Sequence, residues 1–145
     1  MAYESMSHRL ARVDLFKDLP PDVRDEIVAS GVTFTHPPGT VVVQQGAEDV
    51  GFRLILEGEA AVEVNGEARG SMSEGDYFGE ISLIDHAPRS ATVKASDAGL
   101  KTFAVSSMSF EPLLHKYPEM SRILLTALCT RIRAIEAATA RVSPQ

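Results

Sequence analysis

The sequence is poor in several residue types, and each shortage excludes a class of protein. Its 145 residues include one cysteine and no tryptophan. A single cysteine, Cys129, cannot form an intramolecular disulfide, which favours a reducing cytoplasmic location over secretion. No run approaches the roughly eighteen apolar residues that a membrane-spanning helix needs, and residues 1–10 lack the apolar centre of a signal peptide. We therefore expect a cytoplasmic protein that does not bind membranes.

Positive charge is also scarce. Fourteen Lys and Arg residues stand against twenty Asp and Glu residues, for a net charge of −6, so a broad basic surface for nucleic acid is not expected. Apolar residues make up 44% of the chain, and its length suits one domain over residues 1–145 with an ordinary globular core. The histidines lack the His-x-His or His-x-x-x-His spacing of a metal site, so no metal is expected. They are His8, His36, His86 and His115.

Residues 8–30 show two short helical patterns. Periodic apolar residues predict a helix from His8 to Phe16, and Leu19-Pro20-Pro21 interrupts it. A second helix is predicted to begin near Pro21 and to end at Gly31. We expect both to be packing helices that precede the main body of the fold.

Residues 31–105 have the character of a β-rich region. Short apolar runs alternate there with turn residues, and Asn65-Gly66 between alternating apolar residues is the strongest hairpin signal. Many short strands at this spacing indicate an antiparallel sandwich or roll. The predicted strands are residues 32–35, 40–44, 52–57, 60–64, 68–72, 90–95 and 100–105.

Residues 106–140 return to helical spacing. Ser106 or Ser107 is expected to cap a helix that closes near Tyr117-Pro118, and a last helix is predicted from Pro118 to Ala140. The last helix carries one apolar stripe that is longer than a single roll needs to cover. We therefore expect it to have a role besides packing. The stripe consists of Met120, Ile123, Leu124, Ala127, Leu128, Ile132 and Ile135.

The segment from Gly75 to Val93 carries the clearest chemistry. Gly79 leads into a short apolar run that predicts one helical turn, and the first N–H groups of such a turn attract an anion. Glu80 opens the turn and Arg89 follows it. A guanidinium suits phosphate oxygens, and a carboxylate accepts hydrogen bonds from hydroxyls. A ligand with a phosphate beside a sugar hydroxyl would satisfy both residues.

The run Phe78-Gly79-Glu80-Ile81-Ser82-Leu83, followed by Pro88-Arg89-Ser90-Ala91-Thr92-Val93, resembles the phosphate-binding cassette of cyclic-nucleotide-binding domains. That family includes the regulatory subunits of protein kinase A and the sensor domain of the bacterial catabolite activator protein. The resemblance extends from about Leu15 to the last helix. It implies a mainly β fold with flanking helices (α+β): an eight-stranded antiparallel β-roll, or jelly roll, with short N-terminal helices and a long C-terminal helix.

The resemblance also implies the roles of individual residues. Arg89 would bind the cyclic phosphate, Glu80 would accept the ribose 2′-hydroxyl, and Ser82 would donate its backbone N–H to the phosphate. The implied ligand contacts are Phe78, Gly79, Glu80, Ile81, Ser82, Arg89, Ser90 and Ala91. Candidate base-side contacts are Val62, Met72 and Ile135, although plain core packing explains the first two equally well.

The function implied by the resemblance is a non-catalytic sensor of a cyclic nucleotide that signals through its C-terminal helix. We favour cAMP as its ligand, but the Ser90 hydroxyl leaves cGMP as an alternative. A degenerate β-roll that only binds proteins is a further alternative. An enzyme would need clustered metal ligands or a nucleophile–base pair, and neither is evident.

The resemblance also leads to expectations about partners. An effector protein or domain would receive the signal, and a homodimer through the last helix is left open. Since no winged helix follows the sensor region, we expect no DNA binding by this chain alone.

Overall fold

The computed structural model of the protein describes residues 5–48 and 51–142. Within these ranges the chain forms five helices and six strands. The helices are α1 (Met6–Leu10), α2 (Pro21–Ser30), α3 (Ser82–Asp85), α4 (Ser107–Lys116) and α5 (Glu119–Val142). The strands are β1 (Val32–His36), β2 (Val41–Val43), β3 (Gly51–Val64), β4 (Glu67–Met72), β5 (Tyr77–Phe78) and β6 (Thr92–Ser106).

The six strands form one antiparallel sheet around the long pair β3 and β6. Its main path is β1-β6-β3-β4, while β2 pairs with β6 and β5 pairs with β3. The register between β3 and β6 shifts between Ile55 and Glu57 and again between Gly58 and Ala60. Such irregularities bend a strand and increase its twist, so the sheet folds over on itself as a roll. The predicted antiparallel roll with flanking helices is therefore confirmed.

The number of strands differs from the eight expected. The four runs predicted between residues 52 and 64 and between 90 and 105 merge in pairs into β3 and β6, which have 14 and 15 residues. Gly58 and Gly99 allow this continuity at the bend. Both have positive φ, at 91° and 85°, and a Cβ on Gly58 would overlap the carbonyl oxygen of Gly99. The strands can therefore stay paired through the bend only with glycine there.

The hairpin predicted at Asn65-Gly66 is confirmed. These two residues join β3 to β4, and Val64 pairs with Glu67 across the turn. Both turn residues have positive φ, at 54° and 80°. This is the backbone conformation that a two-residue type I′ turn requires, and asparagine and glycine adopt it most readily.

The first predicted helix is wrong in its extent. A helix was expected from His8 to Phe16, but α1 ends at Leu10 and successive turns follow, with the N–H of Phe16 donating to the carbonyl of Val13 at 2.8 Å. Leu15 and Phe16 are nevertheless fully buried. Apolar spacing marked the buried face correctly, but consecutive turns bury the same residues as one helix would.

The C-terminal helices begin close to where they were predicted. Ser106 caps α4 by accepting a hydrogen bond from the Ser109 N–H at 3.1 Å. The first part of α5 packs into the core through Met120 and Leu124, which are almost fully buried.

None of the helices in the described ranges combines the length and apolar character that crossing a membrane requires.

The apolar stripe predicted along α5 is divided by the structure. Met120 and Leu124 are 0% and 2% exposed, whereas Ile132 and Ile135 are 56% and 62% exposed. The first half of the helix therefore belongs to the core, and the second half presents apolar side chains at the surface.

Candidate functional site

A cavity of about 430 Å³ lies between the roll and the cassette, by which we mean residues 78–93. All of the predicted ligand contacts in the cassette line it, as do Val62 and Met72 from the roll. The predicted residues that meet at this cavity are Val62, Met72, Phe78, Gly79, Glu80, Ile81, Ser82, Arg89, Ser90 and Ala91. The structure therefore brings two distant parts of the sequence to one site.

Ile135 is the predicted site residue that the structure places elsewhere. It does not line the cavity, and its side chain is exposed on α5. Its position seven residues beyond Leu128 keeps it on the part of the helix that extends past the core. In this conformation the helix does not bring Ile135 to the base side of the cavity.

The start of the cassette is positioned by β3. Strand β5 pairs with β3, so that Phe78 lies opposite Arg53. Gly79 follows with a φ of 80°, and a Cβ at this position would overlap the carbonyl oxygen of Gly51. The chain then enters the short helix α3, which is anchored by the fully buried side chain of Leu83. Glycine at position 79 is thus required both by its backbone conformation and by close approach to the sheet.

Arg89 is held by the sheet side of the site. Arg89 is only 8% exposed, and its Nη1 donates to the carbonyl oxygen of Gly51 at 2.9 Å. Its guanidinium carbon lies 5.7 Å from the centre of the Phe78 ring, within the range of a cation–π contact. Its backbone N–H donates to Ala47 at 3.0 Å, and its carbonyl accepts from Gly46 at 2.8 Å. A buried cation is thereby fixed at one wall of the cavity.

Glu80 is held from the other direction, by α5. This carboxylate is only 6% exposed, and its Oε1 lies 2.5 Å from Nη1 of Arg131. The hydrogen bond to Glu80 is also the main reason that the pKa of Arg131 lies above its ordinary value. An ion pair therefore connects Glu80, on the cavity lining, to Arg131 of α5.

Arg131 is a site residue that the sequence reasoning missed. The signal was nevertheless present, because Met120, Leu124, Ala127 and Arg131 follow one another at steps of four, three and four. The first three of these contact or form the core, so Arg131 continues the inward face of α5. A charged residue on the buried face of an amphipathic helix requires an oppositely charged or hydrogen-bonding partner.

The other half of the cavity is apolar. Val43 from β2, Val62 from β3, Met72 from β4 and Val93 from β6 line it. Val43 and Val93 are nearly fully buried and belong to the core cluster inside the roll. This half suits a flat, weakly polar group, whereas the cassette half offers charges and backbone N–H groups.

Across residues 5–48 and 51–142, no three His, Cys, Asp or Glu side chains come together as a metal site would need. His86, the histidine within the cassette, instead lies with Nε2 2.9 Å from Glu111 Oε1 of α4. That contact joins the end of α3 to the next helix.

Comparison with known sequences identifies relatives of this fold. The sequence model of the family described as "Cyclic nucleotide-binding domain" matches residues 33–117. The cAMP-dependent protein kinase regulatory subunit of Mycosarcoma maydis is 37% identical over 113 residues, covering 72% of this chain and 22% of that protein. The protein of the same name from Yarrowia lipolytica is 34% identical over 107 residues, covering 72% of this chain and 28% of its own length. The chain thus spans about a quarter of these relatives.

A solved structure agrees with these sequence matches. The N-terminal domain of a transcriptional regulator from Streptomyces coelicolor A3(2) superposes with a TM-score of 0.80 at 26% identity, covering 90% of this chain and 96% of that one. The family match itself covers more than half of the chain and contains the whole cassette. This chain belongs to the cyclic nucleotide-binding domain family.

Proposed function

We propose that this domain binds a cyclic nucleotide, with cAMP preferred, and reports its presence through α5 without catalysing a reaction. The observation that carries the proposal is the placement of two buried, oppositely charged side chains, Glu80 and Arg89, on the lining of one cavity. A guanidinium suits phosphate oxygens and a carboxylate accepts from hydroxyls, so their joint presence on one lining supports a ligand that carries both groups. The names of the fungal relatives, which refer to cAMP, support the choice of nucleotide.

Arg89 is assigned to the cyclic phosphate. Arg89 lines the cavity, and its planar fork of N–H donors is the geometry that suits a bidentate pair with two phosphate oxygens. The backbone N–H of Ser82, at the start of α3, adds a donor of the kind that anions favour at the first turn of a helix. Low exposure of Arg89 strengthens the attraction, because solvent screens it less.

Glu80 is assigned to the ribose hydroxyl. Arg131 bonds Oε1 of this carboxylate, and a hydroxyl can bond the second oxygen, since a carboxylate accepts several hydrogen bonds. The ribose and Arg131 would then share Glu80. Occupancy of the cavity would hold Glu80 in place and favour the docked position of α5, and by linkage a docked α5 would favour the nucleotide to the same extent.

The base is assigned to the apolar half of the cavity. The roll lines this half with Val43, Val62, Met72 and Val93, which offer contact area but no side-chain hydrogen bonds to tell adenine from guanine. The Ser90 hydroxyl also lines the cavity and is the observation that keeps cGMP as a second candidate ligand. The ratio of the two affinities decides between them.

The outer face of α5 is assigned to contact with a second copy or an effector. Leu125, Ile132 and Ile135 are each more than half exposed, and with Leu128 they recur at steps of three, four and three. That is the spacing of a two-helix seam.

Ile132→Glu is expected to convert a dimer to a monomer in sedimentation analysis, while Thr130→Glu, on an exposed part of the same helix, should not. If the wild-type protein stays a monomer at high concentration, the partner of this face is an effector rather than a second copy.

The proposal is tested by calorimetric titration of the purified protein with cAMP and, separately, with cGMP. Saturable binding at micromolar concentrations or tighter, lost in Arg89→Ala, is the expected result. Failure of the wild-type protein to bind either nucleotide would overturn the proposal and favour a β-roll that only binds proteins. Direct DNA binding is not expected, given the net charge of −6, and a cytoplasmic location stays a prediction.

A further inference from the structure

The side chain of Ser82 joins three parts of the site that are separate in sequence. Its Oγ accepts a hydrogen bond from the N–H of Gly51 at 3.1 Å. The same oxygen lies 2.8 Å from the carbonyl oxygen of Gly79 and 3.2 Å from that of Gly51. The first turn of α3 is thereby connected to both the start of β3 and the start of the cassette.

The single hydroxyl proton of Ser82 decides how these contacts are used. A hydroxyl has one proton to donate, and the shorter distance directs it to the Gly79 carbonyl. The Gly51 carbonyl is then left to accept from Nη1 of Arg89 at 2.9 Å. Both backbone polar groups of Gly51 therefore have a partner in the cassette: Ser82 bonds its N–H, and Arg89 bonds its carbonyl oxygen.

This arrangement makes Gly51 the link between the two halves of the phosphate site. One half is the N–H of Ser82, and the other is the guanidinium of Arg89. Gly79 packs so closely on Gly51 that a Cβ there would overlap its carbonyl oxygen. A shift of Gly51 would therefore displace both halves of the phosphate site. The Ser82 hydroxyl is the side-chain group that bonds the N–H of Gly51.

We infer that the Ser82 hydroxyl is a positioning group: by fixing Gly51 it orients the Arg89 guanidinium toward the place where the phosphate binds. This role is distinct from the backbone N–H of Ser82, which every residue type except proline would supply. As a statement about ligand affinity the inference rests on the proposed function. As a statement about the orientation of Arg89 it stands without a ligand.

Two measurements on Ser82→Ala, Ser82→Thr and wild type test the inference. The first, on ligand-free protein, is the NMR order parameter of the Arg89 Nε–Hε group, whose signal is assigned by its absence from Arg89→Ala. The second compares affinities for cAMP and for adenosine, which lacks the phosphate. Thr40→Val is the matched control, because it removes a hydroxyl that bonds the backbone carbonyl three residues earlier, that of Pro37 at 2.7 Å, outside the cassette.

We expect Ser82→Ala to lower the Arg89 order parameter and to weaken cAMP binding about tenfold, the effect of losing hydrogen bonds to buried backbone groups. Adenosine binding should be unchanged, Ser82→Thr should restore the order parameter, and Thr40→Val should change neither quantity. An unchanged Arg89 order parameter in Ser82→Ala would overturn the inference, as would an equal loss of cAMP and adenosine affinity. If wild type binds no nucleotide, the proposed function fails, and the order parameter alone still decides the inference.

Discussion

Glu80 and Arg89, the charged residues of the cassette that are predicted to bind the ligand, bond to different parts of the fold. Arg89 bonds a backbone carbonyl at the start of β3, at 2.9 Å, whereas Glu80 bonds a side chain of α5, at 2.5 Å. A backbone group in a sheet cannot move without disturbing its strand. A side chain on a helix can leave its partner when the helix moves, and the second half of α5 is held by little apolar burial.

Under the proposed function, this difference would separate recognition of the ligand from transmission of its signal to α5. The backbone bond to Gly51 would keep Arg89 in one orientation toward a phosphate, which would reduce the ordering that a ligand must impose. The bond from Arg131 of α5 to Glu80 would link occupancy of the cavity to the position of that helix, and a ligand shifts such an equilibrium only by its differential affinity for the two states. Removing Arg89 should therefore abolish binding, and removing Arg131 should uncouple binding from α5.

The largest effect is expected from Arg89→Ala. It would leave a bound phosphate without its buried cation, at a cost of about 2–5 kcal/mol in binding free energy, or a hundredfold or more in affinity over most of that range. Calorimetric titration with cAMP measures the loss. Arg89→Lys is the matched variant, since it keeps the charge without the planar fork and should recover only part of the affinity. Full affinity in Arg89→Ala would contradict the assignment of the phosphate.

Glu80→Ala is expected to have the next largest effect. Losing the hydrogen bond from the ribose hydroxyl to a charged acceptor should cost about 1.5–3 kcal/mol. The specific check is 2′-deoxy-cAMP, which lacks that hydroxyl. Wild type should bind it more weakly than cAMP, while Glu80→Ala should bind the two ligands equally. If Glu80→Ala still prefers cAMP, the hydroxyl is recognised elsewhere.

Arg131→Ala should have a smaller effect on affinity and a larger one on α5. Without the ion pair to Glu80, docking of α5 no longer contributes to binding, and cAMP affinity should fall by about fivefold to tenfold. Hydrogen exchange in α5 should no longer respond to cAMP. Arg133→Ala is the control, because Arg133 is exposed on the same helix. Equal effects of the two variants would mean that charge on α5, rather than the bond to Glu80, matters.

The smallest effect concerns the roll rather than the cassette, and it depends on pH. Burial, and next the charge of Arg53, lowers the pKa of His36 below its ordinary 6.5. The unfolded chain therefore takes up this proton first, so the contribution to stability is present above about pH 6.5 and is lost as pH falls through the lower folded-state pKa. Below about pH 6.5, the free energy of unfolding of His36→Gln should therefore depend less on pH than that of wild type. His8→Gln is the exposed control. Identical pH dependences would contradict this.

Much of the fold followed from local sequence patterns. The Asn65-Gly66 hairpin, the Ser106 cap and the start of α2 at Pro21 each depend on residues close together in sequence, and local physics decides them. The merging of predicted strands into β3 and β6 was not predictable in this way. It depends on the close approach of Gly58 and Gly99, which are 41 positions apart in the printed sequence.

The candidate site was predictable where side chains carry the chemistry. Glu80 and Arg89 were assigned from their residue types and the surrounding motif, and the structure places both at the cavity, although their roles stay predictions. Gly51 could not be found, because it acts through its backbone carbonyl, which every residue type has. Arg131 was not predicted, because the partner of this inward charge is Glu80, which lies 51 positions away in the sequence.

Hydrogen–deuterium exchange of residues 119–142, with and without saturating cAMP, tests most directly whether cavity occupancy is coupled to α5. In wild type we expect cAMP to slow exchange around Arg131, because in the proposed function the ribose and Arg131 would share Glu80 and the docked helix would be favoured. In Arg131→Ala, at a cAMP concentration that saturates the variant, we expect α5 to exchange equally with and without ligand. Wild-type protein that binds cAMP tightly and shows no change anywhere in α5 would contradict the proposed coupling between cavity and helix.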